Sequence, residues 1–484
     1  MDFLKPTVNF PAYLSSQKRI IFMSMGISTL CFVLLKFCFP YPDFFVDSNS
    51  YVLWAFSRAD VAYRPTGYSF FLRFTHSLMV SAYFTVFVQY LLSFLSMIFC
   101  FFSVDYLFGL PKKLKTVLLV LLLVNPLLLF QTNLISSDSL FCSCTVVWFT
   151  LWCWIIKTNW LWAFVLQLLL LYCCVEIRYT ALFFPVTAVV TVFLFRTKWL
   201  YRIAAFVLTM SVVLFCIQRQ KSLNELEVGT PAFSAFEGWQ IANNALYCYK
   251  HISIDESDLP SIGSVRLDND VRHCIDSVPD PGKVGSAYIW EKQSPLRKYQ
   301  YQVGRVFEIA YFPAWCVASI AMHEYGWYIV KNFPKEFAIY YILPNTVNYF
   351  YPESEALANY NAGNMLVPPD TKEWFGLDID YLVCRFPDMQ AAIIVIMPAM
   401  SLLLNVFIIV VILLFLFRNV PKWKKTDRDT RNLFVAWSVF YFAFMGFTIF
   451  AAAVNLRFMD SIFILGPIMS FALLSPVKPI EGNR

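Results

Sequence analysis

The sequence predicts an all-α polytopic membrane protein of roughly ten transmembrane helices, with a large extracytoplasmic loop domain between the seventh and eighth spans. Three observations carry this. Hydrophobic residues make up 59% of the 484 and charged residues only 14%, with a mean hydropathy of +0.59. Many apolar runs are long enough to cross a hydrocarbon layer of about 30 Å. Basic residues gather in alternate connections between those runs. A soluble globular domain is excluded by this composition.

The runs are helical because only closed backbone hydrogen bonding survives in lipid. The first, 19–39, follows Lys5, Lys18 and Arg19; no small-residue cleavage site follows it, so it reads as an anchor rather than a signal peptide. The second, 78–104, leads to Lys112, Lys113 and Lys115, and the third spans 114–133. The fourth, 139–156, ends at Lys157, and the fifth, 159–175, ends at Glu176 and Arg178. The sixth, 179–195, meets Arg196, Lys198 and Arg202 before the seventh, 200–217. The eighth, 390–417, opens the most basic link, 418–431, with Arg418, Lys422, Lys424, Lys425, Arg428 and Arg431. The ninth and tenth cover 432–454 and 460–475, before Lys478 and Arg484.

Simple alternation places every basic link on one side, which makes both termini cytoplasmic. The links 40–77, 134–138, 176–178, 218–389 and 455–459 are then extracytoplasmic. The net charge of +6 belongs mostly to the cytoplasmic collar, where anionic lipid is the natural partner and nucleic acid is not indicated.

Three parts follow: an N-terminal transmembrane module 1–217, an extracytoplasmic loop domain 218–389, and C-terminal transmembrane helices 390–484. The loop domain begins polar and turn-rich, while 303–350 carries apolar residues at helical spacing. Those helices lie on the membrane or cap a cavity; a further crossing within 307–330 stays open, although Glu308, His323 and Glu324 argue against a lipid-facing one. Of 13 cysteines, most sit in the spans; Cys248, Cys274, Cys316 and Cys384 lie in the loop domain, where one or two disulfides are allowed and Cys248 with Cys274 is the preferred pair. The strings Asp268-Asn269-Asp270 and Asp378-Ile379-Asp380 read as turns, and the four histidines show no ligand spacing, so no metal site is indicated.

Charged side chains at a bilayer surface are costly to place without a use. They recur at the external links: Asp43, Asp47, Arg58, Asp60 and Arg64 in the first, Asn133 and Asp138 in the second, Glu176 and Arg178 in the third, Arg457 and Asp460 in the last. A carboxylate with several arginines can hold a phosphate and activate a nucleophile. Plainer roles compete. Asp47 and Asp138 each precede a helix and can cap it, Arg64-Pro65-x-Gly67 is a natural turn, and Arg178 and Arg457 can snorkel.

The motifs in order are D-x-x-x-Y from Asp47 to Tyr51, R-P-x-G-Y-x-x-F from Arg64, S-D-S-L-F around Asp138, R-Y-T-A-L-F-F-P from Arg178 and N-L-R-F around Arg457. In this order and sidedness the chain resembles the GT-C glycosyltransferases, in their protein-mannosyltransferase and aminoarabinose-transferase branch. The likeness covers about the first 200 residues and a short C-terminal match. It implies transfer of a sugar from a polyprenyl-phosphate donor to a glycan, lipid or protein acceptor at the outer face, in a bacterial inner membrane, without metal or other cofactor. Asp47 then takes the place of the general base, with Asp43 its rival; Asp47-Ser48 departs from the family's frequent Asp-Glu pair, so a second acidic residue is unassigned. Arg64, Arg178 and Arg457 would hold the donor phosphate, and Tyr51, Tyr68, Asp138 and Glu176 would line the substrate site. One carboxylate placed for in-line attack implies inversion. Two other classes remain: a polymerase or ligase of lipid-linked glycans, and a flippase or transporter, which calls for broken spans and mid-bilayer polar groups.

Overall fold

The computed structural model describes residues 9–44, 47–194, 198–278 and 284–475. Among them, eight helices are long and apolar enough to cross a membrane: Lys18–Cys38, Ala82–Leu107, Lys115–Asn133, Ser137–Thr158, Trp199–Val228, Pro387–Lys422, Arg428–Ala451 and Leu456–Leu474. Two shorter apolar helices, Leu161–Ile177 and Tyr179–Leu194, fill the remaining predicted runs. The all-helical polytopic architecture is therefore present, and 17 residues in Leu161–Ile177 sit at the short limit of a crossing. Lys5, Arg196, Lys478 and Arg484 lie outside the described residues.

Burial grades the helices. Ser137–Thr158 is almost wholly enclosed and forms the centre of the bundle, whereas Lys18–Cys38 exposes Phe22, Leu30, Val33, Leu34 and Phe37 along its length. An apolar face of that length, left uncovered in water, is a lipid-facing surface.

Hydrogen bonds sort the helix ends into two sets. At one end the Asp43 backbone pairs with the second link, its N–H donating to Asn133 O (2.9 Å) while Ile135 N–H donates to Asp43 O (3.0 Å). Ser48 Oγ donates to Ile135 O at 2.7 Å, and Leu456 N–H donates to Glu353 O at 2.8 Å. At the other end Asp105 accepts from Tyr13 and Lys115, Lys157 pairs with Asp429 at 3.2 Å, and Asn432 Nδ2 donates to Leu194 O at 3.3 Å. The links holding the candidate acids and arginines thus meet at one end of the bundle.

Over that end sits a layer of helices with an apolar core of its own, built from Glu237–Leu246, Ile262–Cys274, Pro295–Val306 and Tyr311–Asn332. Trp239 and Trp315 stack at 3.7 Å between ring centroids, each indole N–H donating to a backbone carbonyl, Trp315 O and Ala235 O. Gly238 permits this contact, because a Cβ there would lie 1.9 Å from Ser319 O. Tyr311–Asn332 is bent by 118° from the helical stretch Ala287–Val306 and buries Trp315, Ala318, Met322, Tyr325 and Ile329 in this second core.

Three expectations change here. Trp199–Val228 continues beyond residue 217 and ends at Gly229, so the boundary between 217 and 218 cuts a helix. Cys248 and Cys274 are both free thiols: Cys248 donates to Ala245 O and Cys274 Sγ accepts from Lys298 Nζ at 2.8 Å. Asp268-Asn269-Asp270 lies in the helix Ile262–Cys274 rather than a turn, because Asp268 is buried against Tyr249, Tyr325 and Arg272.

Candidate functional site

Asp47 stands at the start of the helix Ser48–Ser57, yet its carboxylate makes no capping bond to the first turn. Both oxygens point elsewhere. Arg64 Nη2 donates to Oδ1 and Arg457 Nη1 donates to Oδ2, each at 2.8 Å. The links after the first span and before the last, more than 400 residues apart in sequence, therefore close on one aspartate. Burial alone would raise the Asp47 carboxyl, but Arg64 and then Arg457 outweigh it and hold it down at about 2.

A second ion pair lies beside the first. Arg178, leaving the Leu161–Ile177 helix, donates to Asp138 Oδ1, while Ser136 Oγ donates to Oδ2 at 2.5 Å. Arg457 reaches the same Asp138 at 3.8 Å, which makes Asp47, Arg64, Arg457, Asp138 and Arg178 one connected charge network. Three guanidiniums face Asp47 and Asp138, and Glu355 of the same cavity also acts on Arg457. Guanidiniums gathered at a partly dry surface can hold an anion in a bidentate fork.

The network forms part of the wall of a cavity of about 720 Å³ between the bundle and the outer layer. Tyr51 lines it and shares a hydrogen bond with Ser137 Oγ at 3.0 Å. The outer layer contributes Phe236, Trp290 and Trp327, with the Arg64 guanidinium 5.9 Å from both the Phe236 and Trp290 rings. A smaller recess of about 70 Å³ shares Asp138, Arg178 and Arg457 and is walled by Phe141, Phe444, Phe447 and Phe458. Polar groups on one side and aromatic rings on the others suit a ligand with an anionic junction and apolar or ring-shaped parts.

Five of the nine candidates from the sequence, Asp47, Arg64, Arg178, Arg457 and Asp138, form this network, and Tyr51 borders it. Three do not line the cavity. Asp43 is buried in the junction of the links, where Asn361 N–H donates to Oδ1 at 3.1 Å and Gln390 Nε2 to Oδ2 at 3.4 Å; burial pushes its carboxyl up to about 7. Tyr68 is fully enclosed and donates to Gln89, whose amide in turn donates to Thr132 O and Leu134 O. Glu176 turns to Arg219 on the extended Trp199–Val228 helix, at 3.1 Å. These three are framework residues. Arg58 and Asp60 are exposed, away from the cavity.

Gly67 explains the turn that delivers Arg64. A Cβ at this position would lie 2.4 Å from Glu176 O, so the helix Gly67–Leu78 can rest on the end of Leu161–Ile177 only without a side chain there. That contact brings Arg64 and Arg178 to the same wall.

Residues unseen from the sequence include Glu355, Glu237, Gln240 and Asn244, all lining the cavity. Glu237 pairs with His323 at 2.7 Å, which raises the His323 pKa. The DxD acids lie elsewhere, Asp380 being taken by Lys372 at 2.7 Å, and no group of three or more candidate metal ligands occurs among the described residues. Comparison with protein-family models, curated proteins and solved structures finds no match to this chain.

Proposed function

We propose that this protein is a membrane glycosyltransferase that moves a sugar from a polyprenyl-phosphate donor to an acceptor at the extracytoplasmic face. The observation that carries the reading is the convergence of Arg64, Arg178 and Arg457, from three separate links, on one wall of a cavity that opens among aromatic side chains. On this reading the bundle crosses ten times, the basic collar faces the cytoplasm of a bacterial inner membrane, and the donor's isoprenoid follows the phenylalanine-lined recess.

The chemistry asks most of the arginines. A polyprenyl phosphate leaves with a developing negative charge, and fixed guanidiniums in a low-dielectric site stabilise that charge far better than water does. Trp290, Trp327 and Phe236 offer flat faces to a pyranose ring. Asp47 is the carboxylate that orders the arginines before the donor arrives, since Arg64 and Arg457 each hold one of its oxygens. A carboxylate so engaged is a weak proton acceptor.

The test uses purified protein in nanodiscs and a panel of polyprenyl-phosphate mannose, glucose and aminoarabinose, with release of polyprenyl phosphate as readout. Turnover of one of these with inversion at the sugar supports the reading. Release from none, together with no binding of polyprenyl phosphate, refutes it. Turnover only with oligosaccharide-bearing lipids reassigns the protein to the polymerase or ligase class.

A further inference from the structure

Glu355 carries an inference of its own. It lies near the end of the segment 218–389, far in sequence from Asp47, Asp138 and the three arginines, yet it lines the same cavity. Two contacts bring it there. Glu353 pairs with Asn455 as an isolated parallel bridge, and Asn455 Nδ2 donates to Glu355 Oε2 at 3.0 Å. Asn455 stands two residues before Arg457, so one short stretch presents a guanidinium to Asp47 and an amide to Glu355.

The backbone at Glu355 is held in the left-handed region, φ 45°, where a residue with a Cβ is strained. It is the one residue lining the cavity, among those described, with a positive φ. Strain of this kind persists where surrounding structure dictates it, and it gathers at working sites. Unlike Asp47, whose two oxygens are both taken by guanidiniums, Glu355 has Oε2 bound by a neutral amide, and the residue is open to the cavity.

We propose that Glu355, rather than Asp47, accepts the proton of the acceptor hydroxyl; this rests on the reading of the cavity as a site of sugar transfer. The acceptor O–H gives its proton to the Glu355 carboxylate as its oxygen forms a bond to the anomeric carbon. The bond from that carbon to the donor phosphate oxygen breaks, and its electron pair leaves on the phosphate, facing Arg64, Arg178 and Arg457. The charged groups acting on Glu355 are Arg457, Glu353 and Asp47; surrounding protein raises its carboxyl, Arg457 opposes, and Glu353 and Asp47 add to the rise. A base tuned upward is stronger than one held low.

The experiment compares the wild type, Glu355→Gln, Glu355→Asp and Asp47→Asn across pH, using the same donor panel with water or a membrane lipid extract as acceptor. Binding of polyprenyl phosphate is measured in parallel. Glu355→Gln should lose turnover by about 10²–10⁴-fold, lose the acid limb of the rate profile, and bind polyprenyl phosphate as the wild type does. Glu355→Asp should restore part of the rate with the limb displaced, and Asp47→Asn should keep the limb. A Glu355→Gln protein with the wild-type rate and profile overturns the assignment and leaves the transferase reading standing. Joint loss of turnover and phosphate binding in Glu355→Gln also overturns it, making Glu355 a part of the donor site. A wild type that neither turns over any of the panel nor binds polyprenyl phosphate removes the transferase reading and the assignment together.

Discussion

Replacing Asp47 with Asn tests the charge network directly. An ordinary aspartate titrates at 3.8, whereas Asp47 is held at about 2 by Arg64 and Arg457 against its burial. At about 1.4 kcal/mol per pH unit, that gap is a preference of about 2 kcal/mol for the ionised carboxylate in the folded protein. The sign follows from the lowered folded value. The contribution is complete above the unfolded pKa and fades as pH falls from about 4 toward 2. Asp47→Asn removes it at neutral pH and leaves the three guanidiniums with the charges of Asp138 and Glu355 but not that of Asp47. A loss of about 2 kcal/mol corresponds to a fall in thermal midpoint of roughly 2 °C for a cooperative unit of this chain's length. Tryptophan fluorescence during heating, in nanodiscs at pH 7 and pH 3, reads both numbers. The gap between wild type and variant should be about 2 °C at pH 7 and narrow at pH 3. Equal midpoints at pH 7, or a gap that ignores pH, would refute the clamp as a source of stability.

Three more outcomes follow from the same geometry. Arg457→Ala removes a donor to an anion, and polyprenyl phosphate binding by isothermal titration should weaken by about 10–100-fold, equivalent to about 1.5–3 kcal/mol. Asp43 shows the opposite pH logic: burial raises it to about 7, so the folded protein favours the protonated acid and loses stability as pH climbs from about 4 to 7. Asp43→Asn keeps the acceptor for Asn361 N–H; its midpoint should match wild type at pH 4, exceed it at pH 8, and its turnover should be unchanged. Gly67→Ala forces a methyl against the Glu176 carbonyl, and a destabilisation of about 1–3 kcal/mol should appear as a lower midpoint in the same fluorescence scan.

Span ends were legible because their signals are local. Hydropathy and basic residues mark where helices meet the interface, and a charged residue there is conspicuous at once; this is how Asp47, Asp138, Arg178 and Arg457 were found. The direction a side chain takes from such an end is a tertiary fact. Asp43, Tyr68 and Glu176 occupy the same kind of position as their neighbours, yet they turn to Asn361, Gln89 and Arg219. Glu355 was hidden for the converse reason. It sits in a long polar segment full of acids, and only the bridge between Glu353 and Asn455 brings it to the cavity.

The arginines of this cavity never stand bare. With Arg64 and Arg457 already engaged by Asp47, and Arg178 by Asp138, every anion that comes near competes with a resident carboxylate. On the proposed reading, the cavity meets a leaflet crowded with phospholipids whose head groups carry the same phosphodiester as a lipid-linked sugar. Charge alone cannot tell them apart, and an unguarded cluster would fill with the commonest lipid in the bilayer. A built-in rival lowers the affinity for all phosphodiesters by a similar factor, so retention falls to molecules that also engage Trp290, Trp327 and Phe236. On the proposed transferase reading, Asp47 sets a threshold: it suppresses the abundant wrong ligand and leaves selection to the ring rather than the phosphate.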